Sequence, residues 1–155
     1  MTMAELDIKL EHAFDVTIYF DKRWIFPVPG GDSQGYVSVK YGTVQGPRLN
    51  GKVVEGSGAD WANVRPDGVI ELNAHYMLEV DDGTKIYIRN QGYVIRPQPD
   101  AQPQVPGYFR CTPYFRVEQG VHDWLNRTVV VGTGERRPGT DTNPDHSIFR
   151  YWAVL

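Results

Sequence analysis

The sequence predicts an all-β chain folded as a single antiparallel β-barrel, lipocalin- or calycin-like, or as a strongly curled sheet, with little helix. Three observations predict it. Val69-Ile70-Glu71-Leu72-Asn73-Ala74-His75-Tyr76-Met77-Leu78-Glu79-Val80 alternates apolar and polar residues, turns at Asp81-Asp82-Gly83 and resumes as Thr84-Lys85-Ile86-Tyr87-Ile88-Arg89, a β-hairpin signature. A helical apolar period is sustained nowhere over about eleven residues, so helix is expected below about 15%. Finally, about nine alternating segments separated by short turns make more strands than a flat sheet holds comfortably, and closure removes the vulnerable edges.

The elements follow in order. Leu6, Ile8 and Leu10, then Phe14, Val16, Ile18 and Phe20, form one long strand over residues 6–20, with a change of phase at His12-Ala13 that signals a bulge. A separate apolar piece, Trp24-Ile25-Phe26-Pro27-Val28, ends in the turn cluster Pro29-Gly30-Gly31. Residues 36–44 alternate again, and Lys52-Val53-Val54-Glu55 is a short strand before Gly56-Ser57-Gly58. In the central hairpin, Leu72, Ala74, Tyr76, Leu78 and Val80 share the core face, and Glu71, Asn73, His75, Met77 and Glu79 the other. Residues 96–107 carry four prolines, a composition that resists helix and ladder alike and predicts an exposed loop suited to gating a pocket. Strands flank Pro113, whose missing N–H implies an edge or a bulge. Residues 124–132 and 148–155 supply the last strands, residues 135–147 form a second loop, and a single helical turn fits near Val121-His122-Asp123-Trp124.

Length and composition bound the rest. A chain of 155 residues suits one domain, residues 1–155, and buries enough surface to fold without a disulfide or a metal. The one cysteine, Cys111, rules out an intramolecular disulfide and fits a reducing compartment; with no basic and then apolar leader at the amino terminus, the expectation is a cytoplasmic protein. No apolar run approaches the roughly 20 residues that span a bilayer, so no membrane partner is expected. A net charge of −3 with both signs interspersed offers no broad basic face, so no nucleic acid is expected either. Asn126-Arg127-Thr128 matches a glycosylation sequon, read as a chance match on a strand.

The punctuating segments resemble the domain-of-unknown-function family numbered 3237, small uncharacterised bacterial and fungal proteins, over nearly the whole chain. The residues that carry the resemblance are Leu10-Glu11-His12, Gly42-Thr43-Val44-Gln45-Gly46-Pro47-Arg48-Leu49-Asn50-Gly51, Gly58-Ala59-Asp60-Trp61, Arg65-Pro66-Asp67-Gly68 and Leu72-Asn73-Ala74-His75-Tyr76. Further on they are Asp82-Gly83, Ile86-Tyr87-Ile88-Arg89-Asn90-Gln91-Gly92, Tyr108-Phe109-Arg110 with Pro113 and Phe115, Trp124-Leu125-Asn126-Arg127 and Val131-Gly132-Thr133-Gly134. The resemblance implies a compact β-barrel that self-associates as a homo-oligomer, without an established general activity. This chain departs from the family pattern at His75, where an arginine is usual, and at Arg116, where an acid is usual.

The candidate catalytic residues are Asp60, Tyr76 and Arg110. Asp60, beside an indole between glycine-rich turns, is either a general acid or base with a raised pKa or a turn aspartate capping backbone amides. Tyr76 faces the core side of its strand, where its hydroxyl needs a partner, in a pocket or in the core. Arg110, flanked by aromatics, would hold a carboxylate, phenolate or enolate with its planar fork, or pair with Asp60 or Glu118. Trp61, Tyr87, Arg89, Trp124 and Asn126 are the candidate substrate-binding residues. His12, His75, His122 and His146 show no metal-ligand spacing, so no metal is expected; Gly132-Thr133-Gly134 follows a strand but opens no helix, so no phosphate loop and no cofactor are expected. Cys111 reads as buried and inert.

These residues fit a cofactor-independent isomerase, cyclase or lyase acting by acid–base chemistry on an apolar or aromatic, enolisable small molecule. The rivals are a non-catalytic module that sequesters such a molecule and a filled barrel serving in a homo-oligomeric assembly. An accessible cavity, and the ionisable groups that border it, discriminate among them.

Overall fold

The computed structural model describes residues 7–155, so Leu6, the predicted start of the first strand, lies outside the described residues. The strands are β1 (Leu10–Pro27), β2 (Ser33–Gln45), β3 (Gly51–Val53), β4 (Ala59–Asp60), β5 (Asn63–Val64), β6 (Ile70–Val80), β7 (Lys85–Ile95), β8 (Tyr108–Val117), β9 (Val130–Arg137) and β10 (His146–Val154). Among the described residues the one helical element is a 3-10 turn, Asp123–Asn126. All strand pairs are antiparallel, and the sheet closes because β1 pairs with β10 on one edge and with β2 on the other. The three short strands β3, β4 and β5 each lie between β2 and β6. They are one stave interrupted twice, so with the seven long strands the ring has eight staves.

The two-residue alternation places the core. Leu72, Ala74, Tyr76, Leu78 and Val80 of β6 are buried, and Ile86 and Ile88 of β7 and Tyr151 of β10 continue the same interior. One half of the barrel is filled by rings: Phe14 packs at 5.3 Å from Tyr151 and 5.9 Å from Phe115, between ring centroids. Leu125, delivered by the 3-10 turn, joins this core, and Trp124 packs against it. The other half is lined by small residues, Gly35, Ala62, Ala74, Gly134 and Ser147, and leaves a cavity. Gly132 and Gly134 are open to a packing explanation: a Cβ would come within 2.7 Å of the Tyr151 ring at the first and 2.5 Å of the Phe109 ring at the second. The glycines of the Gly-Thr-Gly segment make room for these aromatics, and Gly134 also borders the cavity.

Several boundaries differ from those read in the sequence. The bulge falls between His12 and Phe14 as expected, but Trp24-Ile25-Phe26 is the far end of β1 rather than a separate strand. Further register shifts around Tyr19, Phe20 and Arg23 let β1 run through the polar residues Asp21 and Lys22. The strand expected over residues 124–132 begins only at Val130 and runs on to Arg137, because residues 123–126 coil into the 3-10 turn. β8 continues through Pro113 as one strand; β9 pairs with it only at Arg110 and Cys111, so the proline sits where that edge is released. Beyond it the Asn126 amide substitutes for a neighbour strand, accepting from Val117 N at 2.9 Å and donating to Val117 O at 2.8 Å.

Tight coiling of the ring requires close approach of backbones, and glycine permits it. At Gly42 of β2 an added Cβ would lie 2.1 Å from the Thr17 carbonyl oxygen. Gly42→Ala is therefore expected to cost about 1–3 kcal/mol by forcing β1 and β2 apart, read as a lower urea midpoint with the slope unchanged.

Candidate functional site

The cavity opens at the barrel end where β1, β7 and β9 finish and β2, β8 and β10 begin, and encloses ≈ 530 Å³. Its walls are largely apolar, with Ile18, Val39, Leu72 and Phe149 among them. Asp60 stands in that wall. It pairs in register with Val37 of β2 and Ala74 of β6, and residues directly opposite one another in antiparallel strands share a face. Asp60 Oδ1 accepts a hydrogen bond from Asn73 N at 3.0 Å. Burial pushes the Asp60 carboxyl up from 3.8 to about 6, while the Asn73 amide and the Arg23 charge oppose the shift without cancelling it.

Around the mouth stand Arg23, Arg96, Arg110 and Arg136. Arg23 Nη2 donates to Asp145 Oδ2 at 2.6 Å, and Arg136 forms an ion pair with the same carboxylate. Both guanidiniums flank the Phe20 ring, at 6.0 Å and 5.3 Å from its centroid. Burial lowers the Arg136 pKa while the Asp145 contact opposes that shift. Arg96 makes no ion pair among the described residues. At the inner end the Tyr76 phenol is buried, and desolvation pushes its pKa well up, with the Asp60 charge contributing in the same direction. Its hydroxyl, like that of Tyr151, has no hydrogen-bond partner among the described residues.

The structure brings all three predicted catalytic residues, Asp60, Tyr76 and Arg110, to this one cavity, Arg110 at its rim, and none of the predicted substrate-binding residues. Arg110 is exposed, since Phe109 and Cys111 take the interior positions of β8, but it stands near the start of that strand and borders the mouth of the cavity from the rim. It donates to Phe109 O and lies 5.6 Å from the Tyr108 ring; it pairs with neither Asp60 nor Glu118. Trp61 follows Asp60 and so points outward, half exposed, beside Tyr36 at 4.8 Å. Tyr87 and Arg89 lie on the outer face of β7, where the Tyr87 hydroxyl sits 2.7 Å from His75 Nδ1. Trp124 and Asn126 belong to the opposite end, Trp124 under the Arg48 guanidinium at 3.7 Å and Asn126 on the β8 backbone.

Sequence reasoning missed Arg23, Arg96 and Arg136. Arg136 sits two residues beyond Gly134 in the same alternation, a signal available once β9 is extended to Arg137. Cys111 is buried, and burial pushes its thiol up to about 12. The loop of residues 96–107 does border the site, through Arg96, Pro97 and Gly107.

Residues 8–154 match the family model described as protein of unknown function (DUF3237). The chain belongs to this family. A UPF0311 protein of Clostridium acetobutylicum is 34% identical over 146 residues, 85% of this chain and 89% of that protein. A β-barrel-like protein from Acinetobacter baumannii superposes with a TM-score of 0.82 at 25% identity, covering 96% of this chain and 97% of that one. A structure described as an enzyme from Penicillium herquei has a TM-score of 0.70 at 20% identity, covering 96% and 95%; that likeness is one of fold. His75 and Arg116 do not border the cavity.

The raised Asp60 pKa has a consequence for stability. A native state that holds its proton to about 6, against 3.8 unfolded, is stabilised by the neutral carboxyl below about pH 4 and loses that contribution as pH rises through 6. Asp60→Asn keeps an acceptor for Asn73 N without the charge. The variant should match the wild type at pH 4 and exceed it at pH 8 by at most about 3 kcal/mol, the equivalent of two pH units. Urea unfolding at both pH values measures it; a difference independent of pH would remove burial as the cause.

Proposed function

We propose that the barrel is a cofactor-independent enzyme that moves a proton on an enolisable aromatic substrate carrying an acidic group. The observation that carries this reading is the position of Asp60: a carboxyl with a pKa of about 6 in an apolar cavity of ≈ 530 Å³, a volume suited to one small molecule. A base poised near the working pH combines sufficient deprotonation with sufficient driving force. That the fold serves as an enzyme in the Penicillium herquei protein is in keeping with the proposal.

In this reading the Asp60 carboxylate accepts the proton from the carbon next to the substrate carbonyl, and the electron pair of that C–H bond moves into the enolate. Tyr76 keeps its own proton, since burial raises its pKa, and donates a hydrogen bond to the enolate oxygen. Arg96, Arg23 and Arg136 hold the acidic group at the mouth, and Arg110 borders it from the rim. Return of the proton from Asp60 to another carbon gives an isomer, and loss of a leaving group gives an elimination. The apolar walls exclude water from the enolate.

Phenylpyruvate, an aromatic α-keto acid, is the probe. Exchange of its methylene protons for deuterium, followed by NMR, should rise with pH through about 6 and fall at least about a hundredfold in Asp60→Asn. Arg96→Ala should weaken binding by about tenfold, the loss of one charge-assisted contact. Binding with no exchange above the buffer rate, in both wild type and Asp60→Asn, would leave the sequestering module as the function.

The loop of residues 96–107 gates the same mouth. Shortening it between Gln98 and Val105, which bridge one another, should change the on- and off-rates of phenylpyruvate in stopped-flow while the melting temperature holds. Unchanged rates would make it a plain connector.

A further inference from the structure

The barrel wall carries a second concavity on its outer face, of ≈ 440 Å³, backed by β6, β7 and β8; Leu72 is the residue it shares with the interior cavity. Register alone assembles it. One row across the sheet is Asn63, Glu71 and Tyr93; the next is Asn73, Gln91 and Thr112. All face outward, because Leu72, Gly92 and Cys111 between them take the inner side. Trp61 and Tyr93 stand at this groove 51% and 50% exposed, two rings whose apolar faces are left to solvent above a polar floor.

The floor is built rather than incidental. Asn63 Nδ2 donates to Glu71 Oε1 at 2.8 Å and to Asp32 Oδ2 at 3.2 Å, which fixes the Glu71 carboxylate in place. Asn73 Oδ1 is buried and accepts no hydrogen bond among the described residues. An acceptor held in that condition is costly unless a donor reaches it. The groove thus offers carboxylate and amide acceptors, amide and hydroxyl donors, and flat apolar walls, and its one charged lining group is the Glu71 acid.

We propose that this groove binds a neutral polyhydroxylated ring, a hexose. Hydroxyls of such a ring donate to Glu71 and accept from the Gln91 amide and the Thr112 hydroxyl, while its C–H face lies against Trp61 or Tyr93. An anionic ligand is disfavoured by Glu71, and a purely apolar one would strand the floor's polar groups. The sugar has two sources, free in solution or as the end of a polysaccharide chain.

Saturation-transfer NMR with D-glucose, D-galactose and D-mannose, and separately with maltotriose and cellotriose, tests the proposal. Transfer from a saccharide is expected, with affinity falling about tenfold in Trp61→Ala and in Glu71→Ala, the loss of one stacked ring or one charged acceptor. Transfer from the monosaccharides assigns the site to a free sugar; transfer from the oligosaccharides alone assigns it to a polymer end. No transfer from any saccharide overturns the proposal, and so does transfer that both variants leave unchanged. Tyr93→Ala, whose ring lies outside the interior cavity, should keep the phenylpyruvate exchange rate while weakening saccharide binding, which separates this site from the catalytic reading. Circular dichroism confirms that each variant retains the barrel.

Discussion

Strand β1 has to satisfy two neighbours at once, and the rest of the molecule depends on that. Its 18 residues pair with β10 along one edge and with β2 along the other, and only a strand bent by register shifts at His12, Tyr19 and Phe20 serves both. Once the ring is closed, every strand has an inside. The inside must then be either filled or left empty, and side-chain volume decides which. Phe14, Phe115, Tyr76 and Tyr151 fill one half, so their burial supplies the stability of the ring. Gly35, Ala62, Ala74, Gly134 and Ser147 occupy corresponding inward positions in the other half and cannot meet across it. The cavity is a consequence of residue size within one uninterrupted alternation, and it costs the fold no break in its ladder.

The same geometry explains why Asp60 has an unusual carboxyl despite three arginines nearby. Its stave is broken, so only two residues, Ala59 and Asp60, hold the strand between β2 and β6 at this point. That suffices to aim the carboxyl inward. Arg23 would ordinarily hold an adjacent acid low, but its guanidinium is engaged with Asp145, which also engages Arg136. The Arg23 charge still lowers the Asp60 pKa, but desolvation is the larger influence on it. Asp145 itself lies in the loop between β9 and β10, so that loop sets the charge of the mouth without entering the cavity.

Much of this was legible in the sequence, and the boundary of legibility is physical. The hairpin of β6 and β7 follows from alternation plus the turn at Asp81-Asp82-Gly83, where Gly83 has φ of 89° and Thr84 N donates to Asp82 Oδ1 at 2.9 Å. Local chemistry fully specifies such an element. The two-residue strands β4 and β5 were not legible, since their extended form is imposed by β2 and β6 and has no period of its own. Arg110 was legible in part. A buried Cys111 implies that Arg110 leaves β8 on the outer side, because adjacent residues in a strand take opposite sides; that it still borders the cavity mouth follows from its place near the start of β8, which alternation does not show. Arg136 was hidden because a polar segment reads as loop although the glycines before it continue a strand.

The position of the two aromatic sets follows from the same parity. Asp60 and Trp61 are consecutive, so one is sent into the barrel and the other onto its wall, and no arrangement of a regular strand delivers both to one pocket. The pair therefore divides its chemistry: a desolvated acid inside, an exposed indole outside. Asn73 repeats the division across the ladder, its backbone N–H holding Asp60 Oδ1 while its side chain faces the outer groove with an unpartnered oxygen. A single stretch of β-structure, three residues wide from Asp60 to Asn73, thus couples the two faces mechanically. The two sites share a wall: Asn73 N donates to Asp60 Oδ1, Trp61 N donates to Asn73 O, and Leu72 borders the interior cavity and the outer groove alike, so a change on either face has a short path to the other.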